Sequence, residues 1–425
     1  MSLSLTSRLA AVGRVFSSLK VRNYRLFFTG QVVSLSGTWM QGVAQAWLVL
    51  DLTGSGTALG LVSSFQFLPV LLFGPLGGVL ADRFDKRRLL YATQAAAALL
   101  AAGLGVLVVF DVVEVWMVYV LAAGLGFVYV VDNPARQTFV LEMVGPEDLT
   151  NAVSLNSVLF NIARVIGPGL AGALIVGVGL APCFLINAAS YGAVLASLFF
   201  MRADELHRGE PQPRRRGLLR EGLRYVRSTP EVLVPLLMMA IVGTLAYEFQ
   251  VVLPLLARFT FDGDAGTYGT MSVLMGCGAV VGGLVTAAAG RQPATALSRT
   301  AVLFGSIHVA AAFAPTLPIA LVALFFLGAT SIRFLALGNA TLQLAASPQM
   351  RGRVMALWAV AFLGSTPIGG PIVGWVGEHI GPRVALGLGG VATLACGVVA
   401  YPALTRVVNR ATGTPPPIPT PKQPA

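Results

Sequence analysis

Four ionisable side chains interrupt long apolar stretches of this 425-residue chain, namely Asp132, Arg164, Glu248 and Arg333. A charged group at the centre of a bilayer costs about 2.5–3.5 kcal/mol on insertion scales, so such residues usually serve a function. Glu248 is the carboxylate that lies well inside a stretch, and burial in an apolar medium favours the neutral form of a carboxylic acid. We therefore predict that Glu248 carries a coupling proton, with Asp132 as a second candidate. A plain ion pair or helix contact is the alternative for Glu248, and a helix cap is the alternative for Asp132.

The two arginines suggest a different chemistry, because a guanidinium group keeps its proton at any physiological pH. Arg164 and Arg333 can pair with a carboxylate or attract an anionic substrate. We therefore place both in a predicted substrate cavity.

A polar stripe in the first apolar stretch predicts a further part of that cavity. Its side chains recur every three or four residues and so share one face of a helix. A polar face toward lipid is unfavourable, so the stripe should face the inside of the protein, where helix-to-helix hydrogen bonding is the alternative to substrate binding. Aromatic residues of later stretches would make the lining suitable for amphipathic organic molecules. The predicted cavity residues, besides the two arginines, are Gln31, Ser34, Thr38, Gln41, Gln45, Tyr247, Trp358 and Phe362.

The elements that position these residues must be membrane-spanning helices. Hydrophobic residues make up 56% of the chain and charged residues 11%, with a mean hydropathy of +0.77, which is far from the balance of a soluble domain. A bilayer core about 30 Å thick needs about 20 apolar residues per helix, and that length divides the chain into twelve segments. We therefore predict an all-α integral membrane protein whose basic loops face lipid rather than nucleic acid. The predicted segments are 24–50, 57–80, 89–110, 115–137, 151–178, 182–201, 231–256, 268–290, 297–313, 317–344, 354–376 and 383–404.

Charge predicts the orientation of these segments. Most of the 29 Lys and Arg residues fall before the first segment, after the last one or in even-numbered gaps, whereas the odd-numbered gaps hold only Arg258 and Arg383. Because Lys and Arg of short loops stay on the cytoplasmic side, we predict a multi-pass protein of the inner or plasma membrane with both termini in the cytoplasm.

The longest polar stretch divides the chain into two halves of six segments. Leucine and valine alternate with arginine in its second part at helical spacing, which predicts a short amphipathic helix on the inner leaflet; a disordered linker is the alternative for its first part. Shifting the chain by 202 positions places Gly126 on Gly328 and Gly167 on Gly369, as expected for two parallel repeats around a midplane cavity. The predicted organisation is a cytoplasmic segment 1–23, a bundle 24–201, a linker 202–230, a second bundle 231–404 and a disordered tail 405–425.

The gap after the second segment reads G-V-L-A-D-R-F-D-K-R-R from Gly78 to Arg88. This stretch resembles the G-x-L-x-D-R-x-G-R-K motif of the major facilitator superfamily, with Asp85 in place of the family's second glycine. The resemblance implies a transporter fold of two pseudo-symmetric six-helix bundles and a latch that holds the cytoplasmic side shut. Asp82 is the expected centre of the latch, and Arg136 is its expected partner. The implied latch residues are Gly78, Asp82, Arg83, Lys86, Arg87 and Arg136.

The fifth segment contains A-R-V-I-G-P-G-L-A-G, which is similar to the G-x-x-x-G-P-x-x-G-G motif of exporters in the same superfamily. Gly167, Pro168 and Gly172 match, and small residues with a proline allow a bent helix to pack closely and pivot. The strings N-Y-R-L-F-F-T-G-Q, L-S-G-T-W-M-Q and D-N-P-A-R-Q resemble the enterobactin-exporter-like branch. The arginine that many proton-coupled drug exporters carry in the fourth segment is absent, since Val120 stands at that position.

Together these features predict a secondary active exporter of a small amphipathic organic compound, such as a drug-like molecule, antibiotic or siderophore, that works by alternating access as a proton antiporter. An importer of a small nutrient has the same architecture, and a membrane sensor or scaffold without transport is the alternative from another class. The histidines and cysteines show no metal-ligand spacing and no Gly-rich phosphate loop occurs, so we expect no enzyme activity, no cofactor and no metal. The expected partners are the lipid bilayer, the small-molecule substrate and the proton, and a monomer is expected.

Overall fold

The computed structural model describes residues 16–207, 218–290 and 292–412. This described part contains helices and turns and no strand. Hydrogen-bonded helix runs from Val115 to Val178, but Gly145 has a φ of +71° and divides this stretch into two helices. The helices are α1 (Arg22–Thr53), α2 (Gly56–Arg83), α3 (Lys86–Val109), α4 (115–144), α5 (146–178), α6 (Ala181–Phe200), α7 (Leu218–Ser228), α8 (Pro230–Ala246), α9 (Phe249–Phe259), α10 (Ala265–Ala288), α11 (Thr295–Ala312), α12 (Leu317–Ala345), α13 (Arg351–Leu363), α14 (Thr366–His379) and α15 (Pro382–Thr412).

Residues at the helix ends explain why the turns between these helices are short. Gly54 ends α1 in the left-handed conformation, which glycine adopts without strain. The Ser55 hydroxyl accepts a hydrogen bond from the Ala58 amide at the start of α2, and Asp85 and Asp264 cap α3 and α10 in the same way. The backbone hydrogen bond that the Asp264 carboxyl accepts also holds the pKa of this group below its usual value.

The helices make twelve membrane passes. Nine helical stretches in the described part of the chain are long and apolar enough to cross a bilayer, and the one at Val115–Val178 contains two passes. The remaining two passes are α1 and α11, and the lower hydropathy of α1 comes from its glutamine stripe. α8 with α9, and α13 with α14, each form one interrupted pass. The predicted all-α membrane architecture is therefore confirmed.

The two halves, α1–α6 and α8–α15, contain the same helix contact. Gly77 of α2 lies against the backbone at Val130 of α4, and Gly126 of α4 lies against α2 in return. Gly278 of α10 and Gly328 of α12 make the corresponding contacts in the second half. A side chain at any of these glycines would collide with the backbone of the partner helix. Small residues therefore set the spacing of equivalent helices in both halves, in agreement with the predicted repeat.

The halves touch at the end of the molecule that lies opposite the start of α1 and the end of α15. There α2 packs on α14 through Gly60 and Gly370, and α5 packs on α10 through Gly172 and Gly269. The helix faces that meet at these glycines separate toward the other end, where Val158 of α5, about four turns before Gly172, is 55% exposed. The space between the halves is thus open at the end where α1 begins, called the open end, and shut at the opposite end, called the closed end.

Three boundaries differ from the sequence prediction. The seventh and eleventh segments, predicted as continuous helices, are interrupted at Tyr247–Glu248 and at Gly364–Ser365. The predicted tail starts at residue 405, but α15 continues to Thr412, because adding residues to an existing helix costs little. The rest of the predicted tail, residues 413–425, lies outside the described residues, as do residues 1–15 and 208–217.

The predicted linker helix is present as α7, but it packs on the protein. Val226 is buried, and Glu221 Oε1 lies 2.6 Å from Arg353 Nη1. The Tyr225 hydroxyl accepts a hydrogen bond from the Ser347 amide at 3.1 Å. α7 therefore packs on α13 and α8 through Val226 and these polar contacts, while Leu223 of its apolar side stays 39% exposed. Its contact with the inner leaflet stays a prediction.

Candidate functional site

Two adjacent cavities, called lobes, lie at the centre of the molecule. The larger lobe, about 340 Å³, is lined mainly by α1–α6 and is called the N-lobe. The smaller lobe, about 200 Å³, is lined by residues of both halves and is called the interface lobe. Trp39, Ser63, Phe67 and Gln250 line both, so the two lobes are next to each other. No group of three or more His, Cys, Asp and Glu that could hold a metal ion occurs among the residues described.

The polar stripe of α1 faces the N-lobe for most of its length. Gln41 also takes part in helix-to-helix bonding, because its Oε1 accepts a hydrogen bond from Asn187 Nδ2 at 2.6 Å. Gln31 is buried and accepts a hydrogen bond from Arg136 Nη1 at 3.3 Å. The hydrogen-bonding alternative therefore applies to Gln31 and to one atom of Gln41, and substrate binding by the stripe stays a prediction. The stripe residues that line the N-lobe are Ser34, Thr38, Gln41 and Gln45.

Asp132 of α4 lies at the N-lobe with both carboxylate oxygens partnered, and it is only 2% exposed. Its Oδ1 accepts hydrogen bonds from Thr93 Oγ1 at 2.9 Å and Gln94 Nε2 at 2.8 Å. Its Oδ2 pairs with Arg136 Nη2 at 2.8 Å. Arg136 thus pairs with Asp132 and not with Asp82 in this conformation, and its part in a latch stays a prediction. Residues four apart on a helix face each other, so Asp132 and Arg136 pair without any movement of their helix.

Three of the implied latch residues are uncovered in this conformation. Asp82 and Arg83 are exposed at the open end, where α2 terminates. A side chain added at Gly78 would meet no atom within 4 Å. The separated halves at this end leave these residues without the second half as a neighbour.

Besides Arg136, which pairs with Asp132, the remaining latch residues Lys86 and Arg87 connect helices within the first half. Lys86 Nζ pairs with Glu142 Oε1 at 2.5 Å and so joins the start of α3 to the end of α4. Arg87 donates hydrogen bonds to the Leu198 carbonyl oxygen at 2.6 and 2.9 Å and so joins α3 to α6. These two basic residues therefore hold the open end of the first half together.

The interface lobe contains one positively charged and one acidic side chain. The Arg164 guanidinium lies 5.7 Å from the centre of the Trp39 ring, which is a cation–π contact. Glu248 is 6% exposed, and its Oε1 has no hydrogen-bond partner in the described part of the chain. Thr366 hydrogen-bonds to the same carboxyl group. An unpaired buried oxygen is unfavourable unless it meets a proton or a donor, so Glu248 is chemically free to accept either.

The aromatic residues predicted for the cavity form one stack, of which only Tyr247 reaches the interface lobe. Its hydroxyl donates a hydrogen bond to the Ser331 carbonyl oxygen at 2.6 Å. The Phe362 ring meets Tyr247 edge-on at 4.8 Å, and Trp358 stacks on Phe362 at 5.9 Å. Trp358 and Phe362 therefore hold Tyr247 in place and line neither lobe.

Arg333 lies away from the two lobes, which corrects its predicted position. It shares a face of α12 with Phe326 and Leu344, which are 52% and 59% exposed. This face points to the outside of the bundle, where an arginine can extend its alkyl stem along apolar surface toward the lipid headgroups. The sequence could have shown that Arg333 faces outward, because Phe326 and Leu344, 7 and 11 positions away on the same helical face, are large and apolar.

In each of the two interrupted passes, a new helix begins at the interface lobe. α9 begins directly after Glu248, and α14 begins at Thr366; both residues line the lobe. Sequence reasoning missed these interruptions. Gly364 with Pro367 near the start of α14 could have shown the second, because proline favours the first turn of a helix. No comparable signal precedes Glu248 in the seventh segment.

The exporter-like residues of α5 lie at contacts with two other helices. Gly167 lies against the backbone of α1 at Trp39, and Gly172 touches Gly269 of α10. Pro168 lines the interface lobe between these two contacts. α5 therefore contacts both halves next to the interface lobe.

The sequence matches the family model described as transmembrane secretion effector over residues 14–421, which is nearly the whole chain. The chain belongs to this family of the major facilitator superfamily. This match confirms the resemblance to the superfamily that the loop motif indicated. Members of this superfamily are membrane transporters of small molecules rather than enzymes.

Named relatives of this transporter are distant in sequence. The multidrug efflux pump Tap of Mycolicibacterium fortuitum is 28% identical over 363 residues, which cover 81% of this chain and 87% of that protein. The staphyloferrin A transporter of Staphylococcus aureus is 25% identical over 61% of this chain and 66% of its own length. The chain spans about half, 51%, of an uncharacterised Bacillus subtilis transporter, to which it is 29% identical over 50% of its own residues. The solved nucleoside transporter NupG has the same fold, with a TM-score of 0.71 at 14% identity over 91% of this chain and 99% of that one.

Polar contacts join the halves of this transporter at the closed end. Arg258 pairs with Asp51. Glu378, at the end of α14, accepts hydrogen bonds from the Ser55 hydroxyl at 2.5 Å and from the Thr57 amide at 2.9 Å. A carboxylate of the second half thus caps the start of α2 in the first half, where the helix dipole favours negative charge.

Proposed function

We propose that this transporter exports small amphipathic organic molecules across the cytoplasmic membrane in exchange for protons. The observation that carries the proposal is the Glu248 carboxyl group, which is buried at the cavity and has an unpartnered Oε1 in the described structure. Such a group binds either a proton or a hydrogen-bond donor of the substrate at the same oxygen. Competition for one site is a direct physical basis for antiport.

Three observations support export as the direction. The distribution of Lys and Arg favours a cytoplasmic open end, so that the cavity would load from inside the cell. The fifth pass contains the exporter-like Gly167, Pro168 and Gly172 at contacts with α1 and α10. The relative Tap is named as an efflux pump.

In the proposed cycle, a substrate enters the N-lobe from the open end and displaces the proton of Glu248. The halves then rock, the contacts of the closed end separate, and a proton from outside returns to Glu248 as the substrate leaves. One proton that moves down a potential of 100 mV releases about 2.3 kcal/mol, which is similar to the few kcal/mol that separate two conformations of a protein. In the alternate state Asp82 would meet the second half and act as the latch.

Transport by reconstituted vesicles tests the role of Glu248. A fluorescent amphipathic cation such as ethidium is loaded, and a proton gradient of either direction is imposed. We expect the gradient to accelerate ethidium movement against the proton flow in the wild type and to have no effect in Glu248→Gln.

The matched control is Glu114→Gln, because the carboxyl group of this exposed residue hydrogen-bonds to the nearby Trp116 and to no other side chain in the described part of the chain. The control should retain the response of the wild type. A gradient effect of normal size in Glu248→Gln would remove this residue from the mechanism. Movement of ethidium in the same direction as the protons would favour the importer.

A further inference from the structure

The interface lobe contains two groups of opposite charge that do not neutralise each other. Arg164 and Glu248 both line it, yet they form no ion pair within 4.0 Å, and Arg164 has no carboxylate partner among the described residues. The unpartnered Oε1 of Glu248 is a buried acceptor. The guanidinium lacks a carboxylate and the carboxyl oxygen lacks a donor. A ligand that carries both an acidic group and a hydrogen-bond donor would supply the two missing partners.

One helix end adds to the positive side of this lobe. α9 begins directly after Glu248, and no side chain caps its first amides. The start of a helix carries a partial positive charge, and interrupted membrane helices present such ends to negative groups of substrates. Arg164 and the start of α9 therefore favour a negative group, whereas Glu248 favours a donor or a positive group.

We propose that the interface lobe binds the charged end of an amphoteric substrate, in which an acidic group meets Arg164 and a nearby amino group meets Glu248. The apolar body of the substrate then lies in the N-lobe against Trp39 and Phe67, where amides of the α1 stripe serve its polar edges. A simple cation leaves Arg164 without a partner, and a simple anion leaves Glu248 without one, so each should bind more weakly than an amphoteric molecule. The amino contact rests on the proposed antiport, whereas the acidic contact at Arg164 does not depend on it.

A matched pair of dyes separates the two contacts. An amino-rhodamine with a free carboxylate is amphoteric, and its methyl ester has the same rings and amino groups without the acid. Fluorescence anisotropy with the purified transporter measures the affinity for each. We expect the wild type to bind the free acid about tenfold more tightly than the ester, which is the effect of one charge-assisted hydrogen bond.

The variants assign this preference to a residue. Arg164→Gln should bind the two dyes equally, and Arg164→Lys should keep part of the preference. Glu248→Gln should weaken both dyes and keep the preference for the acid. Arg333→Gln, on the outer face of α12, is the matched control and should behave as the wild type.

Equal affinities in the wild type, no binding of either dye, or an unchanged preference in Arg164→Gln would each contradict the proposal. If Glu248→Gln keeps the proton response of transport while Arg164→Gln loses the preference, antiport through Glu248 is wrong and the amphoteric site stands. If instead Glu248→Gln loses the proton response of transport while Arg164→Gln keeps the preference for the acid, antiport stands and the acidic contact at Arg164 is wrong.

Discussion

At the scale of single residues, the two buried carboxyl groups at the cavity differ in their partners. Asp132 has three partners, whereas Glu248 leaves one oxygen without any in the described structure. The sequence showed that both carboxyl groups lie in apolar stretches, where a charge costs free energy. The spacing of four residues between Asp132 and Arg136 could also have revealed their ion pair. The sequence could not show that Glu248 lacks a partner, because that depends on which residues of other helices face it.

The difference predicts opposite effects on stability. Asp132→Asn removes the negative charge that pairs with the Arg136 guanidinium, which is three-quarters buried and otherwise bonds only to neutral amides among the described residues, so the free energy of unfolding should fall by about 1–3 kcal/mol. Glu248→Gln removes a carboxyl group with an unpaired oxygen and should leave the stability unchanged or raise it. Thermal unfolding of the purified variants in detergent measures both. A larger loss in Glu248→Gln than in Asp132→Asn would show that Glu248 has a structural partner.

At the scale of elements, small residues decide where the two halves can meet. The closed end depends on the contact of α2 with α14 at Gly60 and Gly370, where a side chain would collide with the facing carbonyl oxygen. Helix positions and the face of the α1 stripe could be predicted from length and periodicity. The interruptions before α9 and α14 could not, because they depend on how these helices pack around the cavity.

Gly60→Val should therefore prevent the closed end from shutting and shift the transporter toward the opposite conformation. The control is Gly103→Val on α3, where an added side chain meets no atom within 4 Å. The shift is measured with Ser63→Cys at the cavity, after Cys183, Cys277 and Cys396 are replaced. A membrane-impermeant thiol reagent should label this cysteine from the closed end at least several-fold faster in Gly60→Val than in the control. Equal labelling of both variants would mean that this contact does not hold the closed end shut.

At the scale of the whole molecule, two repeated bundles enclose a space that is open at one end. Apolar segment length and charge distribution predicted the twelve passes, and the offset of 202 residues predicted the repeat that Gly126 and Gly328 show in space. Which end is shut could not be predicted, because an alternating transporter can close either end with the same sequence. The residues that close this end, such as Glu378 and Arg258, are separated from their partners by hundreds of positions.

The central claim is that substrate and proton compete for Glu248, and proton release on substrate binding tests it most directly. Purified transporter in weakly buffered detergent is mixed with either amino-rhodamine, and a pH indicator records protons at several starting pH values. The account predicts release of about one proton per bound dye in the wild type, at pH values where Glu248 is protonated before binding, and none in Glu248→Gln. Proton uptake on binding, or the same release from Glu248→Gln, would contradict it.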